Sequence, residues 1–502
     1  MSCEGLSFEE CELVILRLAM DNAEKKNKIK MYTPETQKII DIVVKFIKDK
    51  KLICYGGTAI NNILPENDRF YNEDLDIPDY DFFSTTPIED AIELTNIYFD
   101  KGFEVEAKSG QHVGTYKVYV NFMPIADITY LNEEIFDYIK PRCIIKKDIL
   151  YAPPNYLRMS MFAELSRPDG DVSRWEKVLK RLILLNKHYP IAYKPCSYNF
   201  QRRLVANKKL SSLLYHSLLD IFIDNKVVFF GSYALSLYSE YAGRKVNHKQ
   251  PDFDVLSTEP KLLADKIKKF LTQKGINVKI TKHDQIAELV GEHYEVSVDV
   301  DTIAFIYTPL ACHSYNKIEE NGKELNIATI DTMLSFFLAF LYVNKPYYNI
   351  TRIVCMCQYL FNIQQKNRLK QKGLMKRFNI DCIGNQKTLE EMKEEKSLLY
   401  EKLKKNKDDP LYQKYFFRYK PNNRLDTISI KKNTYKNTYR SMYNAKTEPK
   451  KKYSKHSKPK HSKPKHSKPK HSKHSKHSKH SKPKHSKHSK TRKSGFLKWL
   501  KY

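Results

Sequence analysis

Tyr55-Gly56-Gly57-Thr58-Ala59-Ile60, followed by Pro78-Asp79-Tyr80-Asp81-Phe82-Phe83-Ser84, is the stretch that decides the fold of this chain. Leu52 to Tyr55 is a short apolar run that predicts a strand, the glycine pair predicts a turn, and Thr58 to Leu64 predicts the start of a helix. Asp79 and Asp81 then lie two residues apart in a second strand-like run, Asp76 to Ser84. Residues i and i+2 of a strand share a face, so the two carboxylates converge while Tyr80 turns towards the core. The pattern returns as Phe230-Gly231-Ser232-Tyr233-Ala234-Leu235 and then Pro251-Asp252-Phe253-Asp254-Val255-Leu256-Ser257. Judged from the glycine turns, the offset is about 174 residues.

The elements around each copy repeat as well. Met31 to Lys51 carries Ile39, Ile40, Val43, Val44, Phe46 and Ile47 at helical spacing, and Leu204 to Asp224 predicts its counterpart. Ile88 to Gly102 and Leu262 to Lys274 read as helices. Tyr116 to Tyr130 supplies two strands, with Asp127 inside Ile125-Ala126-Asp127-Ile128-Thr129, and Val296 to Asp301 reads as the later strand of the second copy. Residues 155–186, 329–375 and 388–407 read as mainly helical. This order predicts two related α/β units in tandem.

Bulk composition narrows the function classes. A chain of 502 residues with 41% hydrophobic residues supports two or three cores. No apolar run reaches the length of a membrane span: Met333 to Val343 is too short and predicts a buried helix. Glu4, Glu9 and Glu10 stand where a secretory leader would be basic and then apolar, so no leader is expected. Nine scattered cysteines without zinc spacing predict reduced thiols. Of the formal charge of +30, residues 450–502 supply 21 Lys and Arg and no Asp or Glu, leaving a moderately basic body. That tail repeats Lys-His-Ser-Lys with interspersed Pro, holds nine of the 16 His, and has nothing apolar to bury between Tyr453 and Phe496, which predicts disorder. Such a segment suits loose binding of RNA or another polyanion.

The chemistry follows from the carboxylates. Hard divalent cations prefer carboxylate and phosphate oxygens, and a pair of them can activate an attacking hydroxyl and stabilise a leaving pyrophosphate. Asp127 is the candidate third carboxylate. Gly56 and Gly57 allow a triphosphate close to the backbone at the start of a helix. In the second copy the third acid is read as Asp299 or Asp301, beside Asp252 and Asp254.

YGGTAINNILP, PDYDFFS and IADITY resemble the poly(A) polymerase catalytic subunits of large cytoplasmic DNA viruses, poxvirus-like and giant-virus enzymes within the DNA polymerase beta-like nucleotidyltransferases. SRPDGDVSRWEKVLKRL looks like the same group, and the resemblance covers roughly residues 30–345. The gap of residues 58–77 is longer than is usual in that superfamily. The resemblance implies an α/β (α+β) architecture of two tandem nucleotidyltransferase-like domains, with mixed sheets flanked by helices, and a disordered basic tail. The limits expected are an N-terminal helical segment 1–30, a catalytic domain 31–195, a second nucleotidyltransferase-like domain 196–345, either degenerate or active, a helical region 346–445 and the tail 446–502. It also implies AMP addition from ATP to RNA 3′ ends, with Asp79, Asp81 and Asp127 as catalytic Mg2+ or Mn2+ ligands. Gly56, Gly57, Thr58, Ser160, Arg174 and Lys177 would bind the nucleotide. The partners implied are RNA, ATP, and a second copy or a separate viral processivity subunit; no membrane is expected, and the host cytoplasm or virion is the expected place.

Three observations favour the first copy as the active one. Its third aspartate is unambiguous; the basic helix at 158–181 follows it, offering Arg158, Ser160, Arg174 or Lys177 to a triphosphate; and Thr329 to Val343, the corresponding helix of the second copy, is apolar and reads as packing. Against this, GSYALSLY resembles the glycine-serine turn of the poxvirus catalytic domain. Another nucleotidyltransferase activity, and a non-catalytic RNA-binding or assembly role, are the alternatives. Trp175 is read as core in preference to a base-stacking platform, and the Arg167-to-Arg181 cations as either a solvated face or an ATP or RNA contact.

Overall fold

The computed structural model describes residues 3, 5–31, 33–71, 78–193, 196, 200–202, 204, 207–243, 248–320 and 322–421. The tail and its apolar end lie outside them. Helix α1 (Phe8–Met31) leads to α2 (Pro34–Lys50). Thr33 caps α2 by accepting from the Thr36 amide, Pro34 fixes its first turn, and Ile39, Val43, Phe46 and Ile47 bury one stripe, as their spacing predicts.

Then follow β1 (Ile53–Cys54), α3 (Gly56–Ile63), β2 (Tyr80–Ser84), α4 (Pro87–Asp100), β3 (Val105–Ser109), β4 (Thr115–Val120), β5 (Met123–Tyr130), α5 (Glu133–Ile139), β6 (Ile144–Lys146), β7 (Ile149–Tyr151), α6 (Pro154–Leu165) and α7 (Trp175–His188). The second series is α8 (Lys208–Asp224), β8 (Val228–Phe229), α9 (Ser232–Tyr238), β9 (Phe253–Leu256), α10 (Pro260–Gln273), β10 (Val278–His283), β11 (His293–Val298), β12 (Asp301–Tyr307), β13 (His313–Glu320), β14 (Lys323–Ala328) and α11 (Ile330–Phe340). The C-terminal region adds α12 (Ile350–Lys366), β15 (Cys382–Ile383), α13 (Leu389–Leu403), α14 (Pro410–Phe416) and β16 (Arg418–Tyr419).

Both series build the same sheet. The first is ordered β16-β3-β4-β5-β2-β1-β7-β6 and the second β10-β11-β12-β9-β8-β14-β13-β15. Without β16 and β15 the two orders coincide strand for strand, which carries the duplication from sequence pattern to topology. Both sheets are mixed: β2 runs antiparallel to β1 and parallel to β5, and β9 stands likewise between β8 and β12. Strands β15 and β16 pair with β13 and β3, so the C-terminal region edges each sheet in turn.

Packing follows the alternation. Tyr116, Val118 and Val120 of β4 are fully buried on one face. Every residue of α11 is buried, as its apolar reading predicts. Trp175, read as core, is half-buried at the edge of the core: it donates its indole N–H to the Glu164 carbonyl at 3.0 Å and packs on Phe378. No helix among the described residues is long and apolar enough to cross a membrane.

The cysteine expectation is corrected. Disulfides join Cys3 to Cys11, Cys196 to Cys355 and Cys312 to Cys382, leaving Cys54, Cys143 and Cys357 free. The fold brings Cys196 and Cys355, 159 residues apart in sequence, to a Cα separation of 5.5 Å, within the usual bridging range. No reading of spacing reveals a pair set by tertiary contact.

Candidate active site

In the first copy, parallel pairing sets Asp81 of β2 directly beside Asp127 of β5. Asp79 comes just before β2, and its backbone is fixed by the Thr58 hydroxyl, which donates to the Asp79 carbonyl at 2.7 Å. Thr58 is buried, so its hydroxyl serves that carbonyl, a different task from the phosphate contact expected of it. Gly56 has φ +71, and a Cβ there would collide with the Asp81 carboxylate. Glycine is therefore needed at this position both for the backbone and for the space Asp81 occupies.

The acids are short of counter-charge. Burial first, then Asp127, pushes Asp79 up to about 6, with Lys117 opposing. Burial, then Asp79 and Asp127, pushes Asp81 up to about 7, against Lys117 and Arg181. Asp79 is exposed on its solvent side, so screening makes its shift count for less than that of Asp81. Lys117, facing Asp127 across β4 and β5, pairs with Asp127 Oδ2. Asp127 Oδ1 is buried without a partner, and neither Asp79 nor Asp81 accepts a side-chain hydrogen bond among the described residues. An orphaned carboxylate oxygen beside two mutually repelling acids fits a divalent cation. The three aspartates do not form a closed cage. Among the described residues, the trio of ligand-type side chains whose ligand atoms all fall within 4.8 Å is Asp169, Cys312 and Cys382, and its two cysteines are already bonded to each other.

Helix α7 supplies the basic wall. Arg181 hydrogen-bonds Tyr71 Oη at 2.6 Å, and its guanidinium lies over the Phe70 ring at 5.0 Å and the Tyr71 ring at 5.7 Å. Two of its nitrogens come within 2.8 and 2.9 Å of where a Cβ on Gly57 would stand, so Arg181 rests on the glycine turn. Lys177 is exposed one turn away. Partial burial, then Arg181 and Arg174, holds its ammonium below the usual range, while Asp81 pulls the other way. Arg174 is engaged with Glu164 at 3.1 Å. Ser160 is exposed on α6, its hydroxyl 3.5 Å from the Tyr156 carbonyl, and makes no hydrogen bond to the acids among the described residues. Arg158 is corrected outright: it is fully buried, bonded to Asn155, Asn186 and the Tyr189 carbonyl, and it fastens α6 to the end of α7. Sequence reading named Arg181 only as part of a basic face and missed Lys117.

The second copy has the same frame with different contents. Ser232 makes the contact corresponding to that of Thr58, to the Asp252 carbonyl at 3.1 Å, and Gly231 gives way to Asp254 as Gly56 does to Asp81. In β12, however, the residue in register with Asp254 is Phe305. Asp299 and Asp301 are thereby corrected as third acids. Asp299 has φ +53 in the exposed turn between β11 and β12, and Asp301 starts β12 opposite Val298. A signal was present: Ile125-Ala126-Asp127-Ile128 is matched by Ile303-Ala304-Phe305-Ile306. Arg202 spans Asp252 and Asp254, and Arg352 reaches Asp252 at 3.1 Å.

Residues 41–171 match the family model of the poly(A) polymerase catalytic subunit. The resemblance read from the sequence is borne out. A relative from Acanthamoeba polyphaga mimivirus, named as a poly(A) polymerase catalytic subunit, is 30% identical over 228 residues, 43% of this chain and 38% of its own length. One of the same name from African swine fever virus (isolate Tick/South Africa/Pretoriuskop Pr4/1996) is 33% identical over 217 residues, 38% of this chain and 44% of its own length. The matched stretches thus span less than half of these relatives. The crystal structure of the Megavirus polyadenylate synthase shares the fold, with a TM-score of 0.69 at 22% identity over 84% of this chain and 87% of that one.

Proposed function

We propose that this chain is a template-independent polymerase that adds AMP from ATP to RNA 3′ ends. The observation that carries the reading is the group Asp79, Asp81 and Asp127 at the Gly56-Gly57 turn, with Asp127 Oδ1 unpartnered and Asp81 pushed up to about 7 by burial and by its two neighbours. The match of this same segment to the family model of the poly(A) polymerase catalytic subunit supports it. On this reading residues 31–195 are the catalytic domain and 196–345 a related domain without the reaction, between a helical segment 1–30, a region 346–445 and a tail 446–502. The host cytoplasm belongs to the same proposal.

In the reaction proposed, the RNA 3′-hydroxyl gives up its proton to solvent and its oxygen forms a bond to the α-phosphorus of ATP. The bond from that phosphorus to the bridging oxygen breaks, and pyrophosphate leaves. Asp79, Asp81 and Asp127 would hold Mg2+ or Mn2+ ions, which when bound supply charge neutralisation at the triphosphate and make the 3′-hydroxyl more acidic. The chain's own groups position and neutralise. The backbone of Gly56 and Gly57 opens α3 towards the β- and γ-phosphates, Arg181 places a guanidinium on that turn, and Lys177 adds a second cation. No covalent intermediate on the protein is needed, since orientation and electrostatics carry such transfers. RNA is the acceptor, and a processivity partner, either a second copy or a separate subunit, belongs to the proposal at the level of class.

Primer extension with each of the four nucleotides tests the reading. Extension with ATP alone is expected. A chain that binds ATP and metal yet never lengthens an RNA primer would sink it.

A further inference from the structure

The second copy's aspartates are already neutralised from within the chain. Arg202 Nε stands 3.1 Å from Asp252 Oδ1, its Nη2 pairs with Asp254 Oδ1, and its backbone N–H donates to Asp252 Oδ2 at 2.7 Å. Ser232 donates to that same oxygen at 2.8 Å, and Arg352 approaches it at 3.1 Å. Asp252 is fully buried and Asp254 nearly so. Two guanidinium groups therefore balance two carboxylates, whereas in the first copy, among the described residues, Lys117 alone pairs with one of the three acids. The third carboxylate position is held by Phe305, and the Arg202 guanidinium lies over its ring at 4.8 Å. A hard cation finds no oxygen there. The fit is one of charge more than of alignment: Arg202 Nη1 and Asp252 Oδ1 make no aligned hydrogen bond.

Arg202 belongs to the stretch between α7 and α8 that joins the two copies, and its neighbours are fastened to the same place. Gln201 Oε1 accepts from the Lys249 and Gln250 amides at 3.0 and 3.1 Å. The Phe200 carbonyl accepts from Arg352 Nε at 2.6 Å, and Cys196 is bonded to Cys355 on the same helix as Arg352. Pulling Arg202 out to admit an ion would break its ion pairs with both aspartates and undo this fastening.

We propose that the second copy is sealed by its own arginine: Arg202 stands between Asp252 and Asp254 where a divalent cation would bind, so this copy takes no metal ion and serves instead to latch the connecting stretch onto the second sheet. The proposal goes beyond the reading of the first copy and does not depend on which reaction that copy runs.

Mn2+ binding by the full chain, read by electron paramagnetic resonance, tests it without recourse to activity. In a chain carrying D79N and D81N, no tightly bound Mn2+ is expected. Adding R202Q to that background opens the place between Asp252 and Asp254, so bound Mn2+ appears and raises the chain's unfolding temperature. A D79N/D81N chain that still holds Mn2+, and loses it on addition of D254N, overturns the proposal. So does an R202Q chain, folded by circular dichroism, that gains none. If R202Q does not fold, the D79N/D81N arm decides alone, and R202K is expected to fold and to bind no Mn2+; an R202K chain that binds it counts against the seal.

Discussion

Asp81→Asn should make the metal-free protein more stable while destroying its catalysis. Burial and the neighbouring Asp79 and Asp127 push Asp81 up to about 7 from an ordinary 3.8. A carboxyl whose folded pKa lies above its unfolded value is costly when ionised. The cost is absent below the unfolded pKa, grows as pH rises through the window between the two values, and is complete above the folded one. The whole shift corresponds to roughly 4 kcal/mol at pH 8, at 1.36 kcal/mol per unit. Relaxation and water around the open Asp79 reduce this, so a gain of about 1–3 kcal/mol is the working figure. Denaturant unfolding in chelator at pH 8 reads it, and at pH 5 the gain should shrink to less than half. Magnesium should close the gap from the other side, stabilising wild type at pH 8 by about 2.7 kcal/mol at a hundredfold excess over its Kd and D81N by far less. A D81N chain less stable than wild type at pH 8, or equal stabilisation of both by magnesium, refutes the view of Asp81 as an uncompensated acid awaiting a cation.

Other outcomes follow from the same geometry. Arg181→Ala removes the cation resting on the glycine turn and should raise the KM for ATP by about tenfold, a charge-assisted contact of 1–2 kcal/mol, with Arg181→Lys recovering part of it; steady-state kinetics in ATP settle this. Gly56→Ala meets both a left-handed backbone and the Asp81 carboxylate, so a loss of about 1–3 kcal/mol in stability is expected along with activity. Gly57→Ala meets the ends of two side chains, the Arg181 guanidinium and the Tyr71 hydroxyl, and no backbone, so melting should change little while ATP use falls. Deleting residues 450–502 removes 21 cationic side chains, and RNA binding should then depend much less steeply on salt, as log Kd against log salt will show.

What was legible in the sequence was whatever local pattern determines. The glycine turns, the paired aspartates, the stripe of α2 and the apolar α11 each follow from spacing, and the repeat of their order predicted two matching sheets. What escaped depends on register and long-range approach. Val296 to Asp301 reads as one strand, yet the chain turns at Asp299 and starts afresh at Asp301, which brings Phe305 in place of an acid beside Asp254. Lys117 meets Asp127 only through the β4–β5 register, Arg181 meets Gly57 across more than a hundred residues, and Arg158 turned inward to cap α7. Strands β3, β6, β7, β10, β13 and β14 also went unread, several of them because they are short or carry polar residues along a half-exposed face. The disulfides belong to the same class of feature, since nothing local marks Cys196 for Cys355.

The central claim is that the first of two like-folded copies carries RNA polyadenylation. Extension of an RNA primer with ATP by wild type, D81N and D254N, each shown to be folded, tests it most directly. The account predicts tails from wild type and D254N and none from D81N. Tails from D81N together with their loss in D254N would move the active site to the second copy and contradict it.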